Sequence, residues 1–165
     1  MKQVISVLVE NQAGVLNKIT GLFSRRGFNI ESLAVSVTED ERISRITMIV
    51  DNGNNAVDQL EKQLNKLICV IKVKKMEDTE MTGRELTLIK VSATPKTRRD
   101  IKDTCDIMGA RISDVSASTI TAELADTPDK ISLFQEMLRP FGILEMARTG
   151  LIAVQKGARY MEQPE

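Results

Sequence analysis

The stretch ISVLVENQAGVLNKITGLFSRRGFNIESLAV, residues 5–35, decides the fold. It opens with a β-branched run typical of a strand and passes through a polar turn that ends in Gly14. Apolar residues then recur at helical spacing, and cations followed by Gly27 predict the end of that helix. Alternating apolar and small residues at 33–37 predict a second strand. The stretch therefore predicts a β-α-β unit.

The rest of the chain extends this pattern and then repeats it. In the first half we predict a strand at 46–50, a loop at 51–55, a helix at 57–67 and a strand at 70–73. In the second half we predict strands at 86–91, 112–115, 120–124 and 143–147, with helices at 101–108 and 131–138. The predicted fold class is α+β, with two tandem ferredoxin-like βαββαβ domains.

Composition shifts and turn residues set the expected domain boundaries. We expect a first domain at 1–76, a linker at 77–85, a second domain at 86–157 and a polar, frayed tail at 158–165. Both helices of the second half are expected to start at a Thr-Pro pair, Thr94-Pro95 and Thr127-Pro128. Each sheet would carry helices on one face only, so its other face needs cover from this chain or a second copy.

The overall charge and hydropathy exclude several classes of function. Hydrophobic residues make up 42% of the 165-residue chain and charged residues 28%, so it can build a core and remain soluble. The formal net charge of +0 provides no global basic field for a nucleic acid or an anionic membrane. No apolar run approaches the ~20 residues of a spanning helix. Met1-Lys2 leads directly into the first strand-like run, so we expect no signal peptide. We expect a cytoplasmic protein.

The residue types present also argue against catalysis. The chain contains no histidine, which is the commonest general base and a frequent metal ligand. Nucleotide-binding glycine motifs are absent, and the acidic clusters lack an ordered ligand pattern. Cys69 and Cys105 have apolar neighbours and are expected to be packed free thiols. We therefore expect no catalytic residue and no metal site, and a small carboxylate-dependent enzyme is disfavoured.

RNA binding is the more serious alternative, because RNA-recognition motifs share the β-α-β-β-α-β order. Those domains stack bases on aromatic side chains of their central strands. Here aromatic residues are 3% of the chain, and none falls in a predicted strand at such a position. They are Phe23, Phe28, Phe134, Phe141 and Tyr160.

Binding of a small molecule by backbone groups remains. The turn from Asn11 to Gly14 leads into a helix N-terminus, whose free N–H groups and partial positive charge suit a carboxylate. The loop containing Asn29 lies at the other end of that helix, so a second copy would have to bring the two loops together. On the residues alone, an ordinary turn leading to ordinary core residues is the preferred interpretation.

The long string quoted above closely resembles the start of the small regulatory subunit of acetohydroxyacid synthase (acetolactate synthase). The stretches RELTLIKV, residues 84–91, and LRPFGILEMARTG, residues 138–150, resemble the same family. The similarity spans about residues 4 to 157. It identifies the first half as an ACT domain, a strand–turn–helix module of amino-acid regulation.

The resemblance implies a regulatory subunit without cofactors of its own. ACT domains of this family dimerise and bind valine, leucine or isoleucine at their interface. The matching effector-binding positions are Asn11, Ala13, Gly14, Val15, Asn29 and Ile30. The family often has proline where this chain has Ala13, a change that loosens the turn without removing a polar contact.

The resemblance also implies a partner, the large catalytic subunit, which carries thiamine diphosphate, magnesium and FAD and condenses pyruvate into acetolactate. The small subunit would activate that enzyme and transmit feedback inhibition in branched-chain amino acid biosynthesis. The alternative is a stand-alone amino-acid-binding or RNA-binding βαββαβ module.

Overall fold

The computed structural model describes residues 2–51 and 56–164. The chain forms two units, one built from residues up to Gly83 together with those from Leu151 onward, the other from Arg84 to Gly150. Of the loop predicted at 51–55, only Asp51 lies within the described residues, and it ends a strand.

The first unit has the predicted β-α-β-β-α-β order. Its elements are β1 (Lys2–Glu10), α1 (Val15–Arg25), β2 (Ile30–Val37), β3 (Ile43–Asp51), α2 (Ala56–Leu64) and β4 (Val70–Met76). The strands form one sheet in the order β2-β3-β1-β4. Because β1 and β2 both pair antiparallel with β3, they run in the same direction, and β2 is an edge strand.

Both faces of this sheet are buried along β1, which lies inside the sheet. Ile5 and Val7 pack with Ile19 and Phe23 of α1 and with residues of α2 in the larger core. The alternate residues of β1, such as Leu8, point to the opposite face. This explains why β1 reads as a nearly continuous apolar run.

The second unit repeats the topology. Its elements are β5 (Met81–Ser92), α3 (Arg98–Met108), β6 (Arg111–Val115), β7 (Thr119–Asp126), α4 (Pro128–Leu138) and β8 (Ile143–Arg148). The strand order is β6-β7-β5-β8; the first three residues of β5 belong to the first unit, as does a short strand β9 (Ile152–Gln155) that also pairs with β5. Both helices pack on one face of the sheet around a core that includes Ile101 and Phe134. The predicted α+β class with two ferredoxin-like domains is confirmed.

The start of α3 differs from the prediction. The helix begins at Arg98 with Thr97 as its N-cap residue, whereas Thr94 and Pro95 form a preceding turn. The Thr94 carbonyl accepts hydrogen bonds from the N–H groups of Thr97 and Arg98 at 3.1 and 3.0 Å, which closes that turn before the helix. In α4 the prediction is correct, since Thr127 is the N-cap residue and Pro128 the first helical residue.

Residues 77–85, expected to be a linker, contain regular structure. Asp78–Glu80 form one 3-10 turn, and β5 begins directly after it at Met81. The polar composition hid the strand, whose first residue, Met81, packs against the core on the face of the first sheet opposite the helices. The boundary between the two units, from Gly83 to Arg84, lies within this range.

The end of the chain also differs from the expected frayed tail and from the expected second domain up to residue 157. Residues 151–164, the C-terminal segment, belong to the first unit. Leu151, Ala153 and Met161 are buried against Val4 and Leu8 on the face of the first sheet opposite the helices. The cover that this sheet needed thus comes from its own chain.

Hydrogen bonds fix the C-terminal segment in place. The Leu151 N–H donates to Ser32 Oγ at 3.1 Å, and Arg45 Nη2 donates to the Ala153 carbonyl at 2.7 Å. Burial lowers the pKa of Arg45, although Glu39 partly offsets this effect. The segment is polar in composition but carries apolar residues at the few positions that face the sheet.

Candidate effector-binding site

A tight turn joins β1 to α1, and its last residue determines its shape. Gly14 has φ 85° and ψ −8°, the left-handed conformation that glycine adopts without strain. Beyond Gly14 and its two chain neighbours, nothing in the described structure crowds the position where a Cβ would stand, so the need for glycine comes from the backbone conformation. We call residues 11–14 the Gly14 turn.

The helix that follows has an open N-terminus. Gly14, its N-cap residue, offers no side-chain cap, and the first helical turn contains no acidic residue. Val15 N–H makes a long hydrogen bond of 3.4 Å to the Gln12 carbonyl. The N–H groups of Leu16 and Asn17 find no acceptor among the described residues. Free N–H groups at the positive end of a helix form a site for an anion such as a carboxylate.

Asn11 ties the Gly14 turn to the turn between β2 and β3. Its backbone N–H donates to the Arg42 carbonyl at 2.7 Å, and its side-chain Nδ2 donates to the Glu41 carbonyl at 2.8 Å. This fixes the amide orientation, because the reverse assignment would set two oxygens against each other. Asn11 Oδ1 accepts no hydrogen bond from the described part of the chain and can take an ammonium group.

The remaining predicted site residues occupy two kinds of position. Ala13 and Asn29 are exposed, and the Asn29 side chain hydrogen bonds to none of the described residues. Val15 is buried in the core of the first unit, and Ile30 packs against that core. Only the backbone of Val15 therefore borders the turn.

Within one chain the two predicted loops lie far apart. The Gly14 turn is hydrogen bonded to Arg42, which directly precedes the first residue of β3. The Asn29 carbonyl accepts from the N–H of Asp51, the last residue of β3, at 3.3 Å. The nine residues of β3 separate these points. At about 3.3 Å per residue the separation is about 30 Å. Asn11 and Asn29 of one chain therefore cannot contact one ligand.

Sequence reasoning missed the residues that support Asn11. They lie at 38–42, which we call the β2–β3 turn. The charged residues of that stretch predict only a solvated surface turn. Hydrogen bonds from the Arg42 side chain, and then from its backbone N–H, lower the pKa of Asp40 to about 2. An Asp side chain often accepts from the backbone N–H two residues later in a turn. That signal could have predicted the hydrogen bond from the Arg42 N–H to Asp40.

The structure offers no support for an RNA-stacking surface on the described strands. Phe23 and Phe134 are fully buried in the helix-facing cores. Phe28 makes an edge contact with Phe23, with ring centroids 6.2 Å apart. Tyr160 is exposed, but it lies in the C-terminal segment outside any strand.

The described residues also bear on metal binding and thiol chemistry. Within residues 2–51 and 56–164, no three His, Cys, Asp or Glu side chains are placed to hold a metal ion. Cys69 and Cys105 are both buried free thiols. Burial raises the pKa of the Cys105 thiol.

Over the same described ranges, no helix has the length and apolar character that crossing a membrane requires.

The turn, the open helix end and the edge strand define an ACT-type regulatory module followed by a second ferredoxin-like unit. A model of the ACT domain of acetohydroxyacid synthase small subunits matches residues 5–72, and a model described as the small subunit of acetolactate synthase matches residues 84–157.

Individual proteins agree with these matches. The chain is 47% identical over 157 residues to the probable acetolactate synthase small subunit of Archaeoglobus fulgidus, covering 95% of this chain and 98% of that one. It is 44% identical over 155 residues to the acetolactate synthase small subunit of Mycolicibacterium smegmatis, covering 94% and 91%. The crystal structure of the Thermotoga maritima small subunit superposes with a TM-score of 0.89 at 32% identity, covering 96% and 99%.

The chain belongs to the family of acetolactate synthase small subunits. The expected resemblance is confirmed, and with it the expectation of a non-catalytic, regulatory subunit. Membership implies a separate catalytic subunit as partner.

Proposed function

We propose that this chain activates the catalytic subunit of acetolactate synthase and makes it sensitive to feedback inhibition by a branched-chain amino acid, valine in the first instance. The effector would bind at the interface of two ACT domains. The observation that carries this proposal is the Gly14 turn, which begins at Asn11, whose Oδ1 accepts no hydrogen bond from the described residues, and leads to free N–H groups at the start of α1.

An amino acid has the charges that this arrangement suits. Its carboxylate would accept from the N–H groups of Leu16 and Asn17, where the helix dipole favours an anion. Its ammonium group would donate to Asn11 Oδ1. Because both contacts are to atoms common to all amino acids, selection for a branched side chain would have to come from the apolar surroundings.

A second copy would complete the site. β2 is an edge strand, and Val35 and Val37 on it are exposed. Antiparallel pairing of β2 with its counterpart in a two-fold dimer would bring the start of one β2 beside the end of the other. Since β1 and β2 run in the same direction, Asn29 and Ile30 of one chain would then approach the Gly14 turn of the other.

Regulation then follows from the geometry of the dimer. An effector that binds better to one packing of the two ACT domains shifts the complex toward that packing. A coupling of roughly 1–3 kcal/mol between the effector site and the catalytic subunit is typical of such systems.

The chemistry of the reaction is assigned to the partner. By family resemblance, thiamine diphosphate, magnesium and FAD belong to the catalytic subunit, and this chain would hold none of them. The two buried free thiols suit a reducing cytoplasm, where we place the complex.

The proposal is tested by mixing this chain with its catalytic subunit and measuring acetolactate formation with and without valine, leucine or isoleucine. Stimulation that is reversed by one of these amino acids is expected. Absence of stimulation, or stimulation indifferent to all three, would show the proposal to be wrong. A salt-dependent shift of a labelled oligonucleotide would instead favour the RNA-binding alternative.

A further inference from the structure

The Gly14 turn is hydrogen bonded to one neighbouring segment, the β2–β3 turn. Within the described part of the chain, its hydrogen bonds to residues distant in sequence both start at Asn11 and end on the carbonyls of Glu41 and Arg42. Its other backbone hydrogen bonds, such as that from the Gln12 N–H to the Glu10 carbonyl, are local. The position of Asn11 therefore depends on where the β2–β3 turn presents those two carbonyls.

The β2–β3 turn is closed by Asp40. Its Oδ1 accepts from the Arg42 backbone N–H at 2.9 Å, and its two carboxylate oxygens accept from Arg42 Nε and Nη2 at 2.7 to 3.1 Å. The Asp40 backbone also takes part: its N–H donates to Thr38 Oγ1 at 3.2 Å, and its carbonyl accepts from Thr38 Oγ1 at 3.1 Å and from the Ile43 N–H at 2.9 Å. The Asp40 carboxylate thus holds the peptide group that follows Glu41, and the Asp40 carbonyl holds the one that precedes it.

This ion pair lies at the surface rather than in the core. The Arg42 side chain is 82% exposed and that of Asp40 24% exposed. Exposed ion pairs contribute little to global stability, so the pair is not needed to hold the fold together. The effect of the ion pair is local, because it orders the two carbonyls to which Asn11 donates its hydrogen bonds.

We propose that Asp40 and Arg42 are positioning residues for the effector, acting through Asn11. They touch no part of the effector themselves. By fixing the Glu41 and Arg42 carbonyls they keep Asn11 Oδ1 and the Gly14 turn in the orientation that receives the amino acid. The inference rests on the proposed function, since it deepens the account of the same site.

The test measures the affinity of the full-length protein for L-valine, L-leucine and L-isoleucine by calorimetry. Asp40→Ala is expected to weaken binding about three- to tenfold, the effect of losing roughly one net hydrogen bond. Asp40→Asn keeps an acceptor for the Arg42 N–H and is expected to lose less. The matched control is Glu136→Ala, which removes an exposed arginine–carboxylate pair of the second unit, Arg139–Glu136 at 2.6 Å, and should bind like the wild type.

A double-mutant cycle separates positioning from a general structural effect. If Asp40 acts through Asn11, the variant carrying both Asn11→Ala and Asp40→Ala loses clearly less affinity than the sum of the two single losses, because only the backbone hydrogen bond from Asn11 N–H to the Arg42 carbonyl is left to be disturbed. Additive losses, or wild-type affinity for Asp40→Ala, would overturn the positioning role while leaving the proposed function intact. A wild-type protein that binds none of the three amino acids would overturn both.

Discussion

At the scale of single residues, the site depends on backbone conformation more than on side-chain chemistry. Gly14 supplies a left-handed turn, and Asn11 joins that turn to its neighbour through both a backbone and a side-chain hydrogen bond. Neither residue has an ionisable group, which fits binding of an amino acid without its transformation. The sequence pattern predicted the turn and the glycine, but the partner carbonyls of Asn11 lie about thirty residues away and have no local signal.

Gly14→Ala should impair effector binding. A left-handed non-glycine residue costs about 1 kcal/mol, so the turn will shift and misplace the N–H groups of α1. We expect an affinity for valine lower by about tenfold or more, as for a lost hydrogen bond to a charged group. Isothermal titration calorimetry measures this.

The control for this change is Gly109→Ala. Gly109 also has positive φ, at 70°, and nothing beyond its chain neighbours crowds the position that a Cβ would take there. It ends α3 in the second unit. We expect Gly109→Ala to lose about as much stability as Gly14→Ala, while its affinity for valine stays that of the wild type. Equal losses of affinity in the two variants would contradict a specific role for Gly14.

The two cysteines should be unreactive in the folded protein. Both Cys69 and Cys105 are buried, and the raised pKa of Cys105 further lowers its thiolate fraction at neutral pH. A thiol reagent such as Ellman's reagent should label neither until the protein is denatured. Rapid labelling of the native protein at neutral pH would contradict the described packing.

At the scale of elements, the unpaired edge of β2 matters most for assembly. Val35→Asp places a charge on the surface that is proposed to meet a second copy, so we expect the dimer to weaken about tenfold or more. Val115→Asp is the control, because Val115 is 55% exposed on β6, an edge strand of the other sheet. Analytical ultracentrifugation should detect dissociation only for Val35→Asp.

The C-terminal segment supplies a second test at this scale. Met161 is buried against the first sheet, so Met161→Ala should lower the free energy of unfolding by about 2 kcal/mol. Its neighbour Tyr160 is 70% exposed, and Tyr160→Ala should change stability by less than about 0.5 kcal/mol. Urea unfolding followed by circular dichroism compares the two. If both changes lowered the free energy of unfolding equally, the C-terminal segment would not be packed against the first sheet through Met161.

The elements also show why part of the fold was predictable and part was not. Periodicity found the helices and the eight strands of the two repeats, because each has an apolar stripe that packs on its own core. It missed β9, whose four residues are too few for a period and whose partner lies about seventy residues earlier. Met161 is buried by the first sheet, which is distant from it in sequence. The polar composition around Met161 therefore could not predict its burial.

At the scale of the whole molecule, the central claim is that one effector site needs two chains. The distance of about 30 Å along β3 excludes a site built from both loops of a single chain. Two-fold pairing would create two equivalent sites, each made of the Gly14 turn of one copy and the Asn29 loop of the other.

Mixing two defective variants tests this claim most directly. Gly14→Ala impairs the turn and Asn29→Ala impairs the partner loop, so either homodimer should bind valine weakly. After subunit exchange, each mixed dimer should contain one site with both loops intact, and high-affinity valine binding should reappear in calorimetry. If the exchanged mixture binds no better than the separate variants, the effector site does not form from these two loops across the dimer.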